Sequence, residues 1–306
     1  MDTRKSYGHV TALLANVIFG LNMPVSKALL SGRMTPMGYT MSRVLFAATV
    51  FWVTGLFMKK EKVLPKDMLF IAAGGFFGFI LSQFLFAISL QHTTPVHYSM
   101  IAALGPVIVM LLAALFLHEP ISRMKVFGVL LGVGGTLLLI FQIGISGNGH
   151  SDLSGIALAL ASNTAYAVYL IITRSVSQRY SPLTLMKWLF LFTALMLLPF
   201  GLKELLHQPV YRGLATTDEI MMVAYVLVAS TAVAYFLIPF ALKQLRATTV
   251  SIYMNLQPIV ASIAAICIGQ DTFTWDKPVA LCLVIAGALV VTNSPAKEKT
   301  IKTLKH

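Results

Sequence analysis

Acidic side chains are scarce in this sequence, and none is placed for membrane-embedded acid–base chemistry. Only 11 of 306 residues are Asp or Glu, and all lie in termini, connectors or the ends of apolar runs. No carboxylate falls where it could relay a proton across a bilayer or neutralise a buried cationic drug. Cysteine is almost missing: Cys267 and Cys282 cannot form a disulfide framework, and both read as small buried hydrophobes. A GxxxxGK[ST] loop is absent, which excludes an ATP-driven engine within the chain. HExxH, GxSxG, CxxC and paired intramembrane aspartates are absent too, and the seven histidines show no metal-ligand spacing. The sequence therefore gives no reason to expect catalysis, a cofactor or a metal.

Charge as a whole is thin. Charged residues make up 11% of the chain, against about 25% in ordinary soluble domains, and the mean hydropathy is +0.81. Apolar runs near the roughly 20 residues that cross a hydrocarbon core lie at 8–30, 37–58, 68–90, 95–118, 123–142, 154–174, 184–203, 219–242, 247–269 and 276–294. The expected fold is an all-α polytopic membrane protein of ten spans in two sets of five. Five is odd, so the second set enters the membrane upside-down and any repeat relation between the sets is inverted. The first repeat occupies 1–142, a Gly/Ser/Asn-rich linker 143–153, the second repeat 154–296 and a basic tail 297–306. Arg4 and Lys5 ahead of an apolar run resemble a signal peptide. Asn16, Asn22 and Lys27 interrupt that run and no cleavage pattern follows, so the segment is expected to stay.

The net charge of +12 follows topology. With a cytoplasmic N-terminus, 16 of the 23 Lys and Arg fall on inner segments and 4 on outer ones, while Lys27, Arg43 and Lys187 lie within spans. That is the positive-inside bias with both termini cytoplasmic. The lipid bilayer is the expected partner, and nucleic acid is not.

The two halves align without gaps over their later spans. At an offset of 152, Gln83 meets Tyr235, Leu90 meets Leu242, Pro106 meets Pro258 and Glu119 meets Asp271. Around the first span of each half the offset is 147, where Gly8 meets Gly155, Asn16 meets Asn163 and Lys27 meets Arg174. Pro106 and Pro258 fall mid-span, where proline removes a hydrogen bond and frees the carbonyls of Ala102 and Met254. Such a break is either a packing kink or the border of a midplane cavity. Gly74 with Gly78, and Gly128 with Gly132, form GxxxG pairs for close helix approach, either within one chain or in a homodimer.

Polar side chains inside spans should face inward. Asn16, Gly20, Met23 and Lys27 make one stripe of span one. Asn163 and Tyr166 are the polar positions of span six, Gln83 of span three and Tyr235 of span eight. Tyr98 belongs to span four, and Tyr253, Asn255 and Gln257 precede Pro258. The site expected from these is Asn16, Gln83, Tyr98, Asn163, Tyr166, Tyr235, Tyr253, Asn255 and Gln257, lined by spans one, three, four, six, eight and nine. Lys27 and Arg43 lie toward span ends, and either snorkel to headgroups or form a basic lining that attracts a carboxylate or phosphate.

TPMGYTMSR (35–43), LGPVIVMLLAALFLHEPIS (104–122), GVLLGVGGTLLL (128–139) and LQPIVASIAAICIGQD (256–271) resemble the motifs of the drug/metabolite transporter superfamily. The resemblance is to its ten-helix EamA-type permeases, over about 8–142 and 154–294. Asp271 stands where the family pattern has Glu, and no Pro follows it. The resemblance implies a bacterial inner-membrane permease working by alternating access. Its substrate would be a small polar metabolite such as an amino acid, and export the direction. An intramembrane enzyme or a protein handling lipid or sugar conjugates is the alternative, and it would require a reactive cluster at depth.

Overall fold

Proline opens four of the helices, at Pro36, Pro65, Pro95 and Pro182. Its missing N–H costs nothing in a first turn, where that donor has no intrahelical partner. The computed structural model describes residues 3–58, 61–118, 121–145, 149–213 and 215–269, with single positions at 275, 278, 279, 282, 283, 286, 287 and 290. Among these no strand occurs. The helices are α1 (Thr3–Leu30), α2 (Pro36–Leu56), α3 (Pro65–His92), α4 (Pro95–Ala102), α5 (Gly105–Phe116), α6 (Arg123–Ile145), α7 (Gly149–Ser177), α8 (Pro182–Leu206), α9 (Thr217–Gln244) and α10 (Ala247–Cys267). Six of them, α1, α3, α7, α8, α9 and α10, contain segments long and apolar enough to cross a bilayer. The expected span at 276–294 lies largely outside the described residues.

The proline breaks are real. Expected span four is divided into α4 and α5, with Pro106 in the first turn of α5. In α10 a 3-10 turn, Tyr253–Leu256, precedes Pro258. The Met254 carbonyl is not left open as the sequence suggested, because the tighter turn lets the Gln257 N–H reach it. Two π-helical stretches, Phe76–Leu81 within α3 and Tyr225–Val233 within α9, have no counterpart in the sequence reading. They overlap at the same offset of 152 that aligns the halves.

Packing between the sequence halves is reciprocal. Helix α1 runs against α9 and α10, while α7 runs against α3, α4 and α5; α2 lies along α8. Gly78 permits this approach at α3, since a Cβ there would stand 2.5 Å from the Tyr169 ring on α7. Gly132 lies against Gly287, so both GxxxG segments make close approaches inside the chain. Phe79, Phe190 and Tyr235 knit the centre, with Phe79 ring centroids 4.2 Å from Phe190 and 4.3 Å from Tyr235. Leu56, Leu69, Phe116, Phe200 and Leu206 point outward and are exposed, as lipid-facing residues must be. Cys267 and Cys282 are exposed as well, which corrects their reading as buried; a thiol is as compatible with an apolar environment outside the bundle as within it.

The α2–α8 seam is tied near both ends. Gln208, just beyond α8, accepts from the Thr35 N–H at 2.7 Å and donates to the Thr35 hydroxyl at 3.1 Å. At the other end Trp52 Nε1 donates to the Lys187 carbonyl at 3.1 Å, and Lys187 Nζ lies 4.8 Å from the Trp52 ring centre. Beside that end, Asp67 is buried in the first turn of α3, paired with Arg179 at 2.8 Å, and accepts from the Tyr180 hydroxyl at 2.6 Å. The bond to Asp67 raises the Tyr180 pKa above that of a free phenol. Asp67→Asn should lower stability by about 1–3 kcal/mol, the loss of charge-assisted hydrogen bonds. A melting temperature in detergent equal to wild type would contradict that.

Candidate functional site

The second turn of α2 carries the polar centre of the molecule. Thr35 caps the helix by accepting from the Gly38 N–H at 3.1 Å. Thr40 and Ser42 turn their hydroxyls back onto carbonyls four residues earlier, at 2.8 Å each. Arg43 is thereby aimed into the bundle and is only 3% exposed. Its Nε donates to Thr231 Oγ1 at 2.7 Å; Nη1 donates to Gln83 Oε1 at 2.5 Å and Tyr39 OH at 3.2 Å; Nη2 reaches Ser230 Oγ at 3.4 Å. Thr231 is presented by the π stretch of α9, where its hydroxyl donates to the Val226 carbonyl five residues back, at 2.7 Å. Every one of these acceptors is neutral. Among the described residues the ion pairs are Arg33–Glu219 and Arg179–Asp67, and no carboxylate faces Arg43. Burial without a counter-charge costs several kcal/mol per ion, and it removes the headgroup-snorkelling reading for this residue.

Arg43 borders a cavity that leaves about 50 Å³ for the centres of water molecules. Asn22, Ser82, Gln83, Tyr98, Asn163, Tyr166, Tyr235 and Gln257 supply the rest of its polar wall, with Phe19, Met23, Phe86 and Met254 as the apolar part. These residues come from α1, α2, α3, α4, α7, α9 and α10. Span two was not among the lining spans expected from sequence, and it contributes the only charge among the described residues of the wall. Tyr98 OH lies 2.9 Å from Ser162 Oγ, which donates to the Ser82 carbonyl at 2.8 Å, so α4, α7 and α3 are joined beside the cavity. Asn22 is 4% exposed. Its amide nitrogen reaches Tyr39 OH at 3.5 Å, while its Oδ1 has no partner among the described residues. A buried unpaired acceptor costs about 1–3 kcal/mol, so this carbonyl is a ready acceptor for an N–H or ammonium group.

Of the residues singled out in the sequence, Gln83, Tyr98, Asn163, Tyr166, Tyr235, Gln257 and Arg43 meet at this cavity. Four do not. Asn16 stands behind the wall, where its Oδ1 accepts from Gln257 Nε2 at 2.7 Å and its Nδ2 donates to the Ala12 carbonyl at 2.8 Å. Tyr253 pairs with His9 Nδ1 at 2.8 Å. Asn255 is buried elsewhere, and its Oδ1 has no partner among the described residues. Lys27 donates to the carbonyls of Leu90 and Thr93 at 2.6 and 3.0 Å and so closes the C-terminal end of α3, a favoured place for a cation. Arg174 does the same for α9 by donating to the Leu242 carbonyl. The pairs Lys27–Leu90 and Arg174–Leu242 match through the two offsets found in the sequence.

Phe19, Asn22, Met23, Ser82, Phe86 and Met254 were not named as site residues. The polar stripe of span one included Met23 and passed one position from Asn22, so a wider arc around that helix would have found Asn22 and Phe19. Ser82 adjoins Gln83, Met254 was marked only through the carbonyl that Pro258 frees, and no sequence signal marked Phe86.

A charged and hydrogen-bonding centre enclosed by a shell of apolar helices defines a multi-pass membrane protein with a polar core. The sequence matches the EamA-like transporter family over residues 6–141 and 153–293, and the chain belongs to that family. The resemblance read from TPMGYTMSR and LGPVIVMLLAALFLHEPIS is thus borne out. An uncharacterized transporter of Archaeoglobus fulgidus is 24% identical over 260 residues, covering 85% of this chain and 90% of its own length. The threonine/homoserine exporter RhtA of Escherichia coli K12 is 28% identical over 251 residues, with 80% and 76% covered. A solved crystal structure superposes with a TM-score of 0.70 at 19% identity, covering 95% of this chain and 97% of its own; it shows the fold.

Proposed function

We propose that the protein is a secondary transporter that exports small zwitterionic metabolites, amino acids foremost, across the bacterial inner membrane. Arg43 carries the reading. A buried guanidinium whose partners among the described residues are all neutral acceptors, on the wall of a cavity between the halves, is arranged to take a carboxylate as a fork. The unpaired Oδ1 of Asn22 on the same wall suits an ammonium group. The naming of RhtA as a threonine/homoserine exporter supports both the amino acid and the direction.

The mechanism is alternating access between two inverted five-helix halves, ten spans in all, with both termini cytoplasmic. Matched capping by Lys27 and Arg174, matched π stretches and matched proline breaks support the inverted relation. So does reciprocal packing of α1 and α7 on the opposite half. A water needs roughly 10–15 Å³ of such space, so the cavity of about 50 Å³ holds a few waters. An amino acid enters only when the halves part at one end.

Purified protein in liposomes, offered a panel of radiolabelled L-amino acids beginning with threonine and homoserine, tests the reading. Movement of at least one of them is expected, and movement of none defeats it. The topology has its own test. After removal of Cys267 and Cys282, which are exposed, single cysteines at Lys62 and Arg212 should react with impermeant reagents from opposite faces, Arg212→Cys from outside. Labelling from one face would refute the inverted arrangement.

A further inference from the structure

We infer that Gln83 is a built-in stand-in for the substrate's carboxylate, which allows the empty carrier to pass between its two open states. This rests on the reading of Arg43 as the anion site. Arg43 Nη1 meets Gln83 Oε1 at 2.5 Å, the shortest of its contacts, while Nη2 has only the 3.4 Å approach to Ser230. Nη2 is therefore the loosely held nitrogen, and the Nη1–Nη2 edge is one a carboxylate would grip with two parallel bonds once it replaced Gln83 on Nη1. Gln83 occupies half of that position. It lies just beyond the Phe76–Leu81 π stretch on a long, rotatable side chain that also lines the cavity. Nε stays bound to Thr231, so the arginine keeps its direction while the amide comes and goes.

The consequence is kinetic. A carrier that performs net export must return empty, with Arg43 enclosed and no substrate anion beside it. Without Gln83, Nη1 would keep only the longer bond to Tyr39 OH at 3.2 Å, and this enclosed state would be raised in energy. Gln83 fills the gap with a neutral carbonyl, strong enough to complete the shell and weak enough for a carboxylate to displace. Exchange of one substrate molecule for another involves no empty return and does not call on this bond.

The test uses the full-length protein in liposomes with the best-transported labelled L-amino acid of the panel. Net efflux into substrate-free buffer is compared with efflux into saturating unlabelled substrate. In Gln83→Leu the ratio of exchange to net efflux should rise about tenfold over wild type, the effect of losing one hydrogen bond to a charged group. Equal loss of both rates, or an unchanged ratio, overturns the inference. Gln83→Glu keeps the shape and places a fixed carboxylate against Arg43. Substrate affinity should then fall about tenfold or more, as expected when the anion's place is already taken, and unweakened binding would overturn the inference through a variant that differs by one amide. A wild-type protein that moves no L-amino acid defeats the proposed function itself. Transport with an unaltered ratio defeats the role of Gln83 alone.

Discussion

Arg43→Met should cut substrate affinity at least about thirtyfold, because a buried charge pair is worth roughly 2–5 kcal/mol to a ligand that depends on it. The same variant should be as stable as wild type or more so. Wild-type Arg43 is enclosed among Thr231, Gln83, Tyr39 and Ser230 with no counter-charge among the described residues, and an apolar side chain of similar length removes that desolvation penalty. The four neutral partners can then bond to one another or to cavity water. Arg43→Lys retains the charge but loses the planar fork, so it should recover only part of the binding. The measurement is ligand-induced thermal stabilisation alongside efflux. A fall in stability parallel to the fall in binding would make Arg43 a structural strut and remove the anion site.

The second large effect concerns two glycines. A Cβ at Gly8 would stand 2.8 Å from Gln244 Cβ and 3.0 Å from Leu245 Cγ; one at Gly155 would stand 2.8 Å from Thr93 Cβ and 3.1 Å from the His92 backbone carbon. The two contacts correspond through offsets 147 and 152, and in the proposed topology they seal opposite faces. Both are closed here. Overpacking a contact of this kind costs about 1–3 kcal/mol, enough to shift a two-state equilibrium by roughly five- to a hundredfold. Gly155→Leu should therefore hold the outer end apart and Gly8→Leu the inner end. A cysteine introduced at Ser82, on the cavity wall, reports which. Impermeant reagent added outside should label it faster in Gly155→Leu and slower in Gly8→Leu. Equal shifts in both variants would show that the glycines are packing details without a gating role.

Much of the architecture was written into hydropathy and proline placement. The run at 68–90 became α3, Pro65–His92, and the run at 247–269 became α10, Ala247–Cys267. Breaks fell where Pro106 and Pro258 forbade a continuous ladder. The weak match of Lys27 with Arg174 and of Leu90 with Leu242 turned out to be one interaction made twice. These features are local or periodic, which is why a single sequence displays them. Arg43 was harder, since its position near the start of a span fits a snorkelling residue equally well. Its burial depends on Ser230 and Thr231, 187 and 188 residues away, and on a π stretch that leaves no mark in the residue pattern. The same holds for Asn16, which engages Gln257 across 241 residues. Long-range hydrogen bonding decides which polar residue meets the cavity and which one braces its neighbour.

The seam between α2 and α8 also constrains movement. With Gln208 clasping Thr35 at one end and Trp52 resting on Lys187 at the other, these two helices have little freedom to slide or splay. In the proposed mechanism they would form a fulcrum, with the see-saw of the remaining helices turning about a line that itself stays still. Arg43 belongs to one of these two helices. Its guanidinium would then remain at a fixed depth while the walls around it swing, and cargo would change sides although its main point of attachment did not travel.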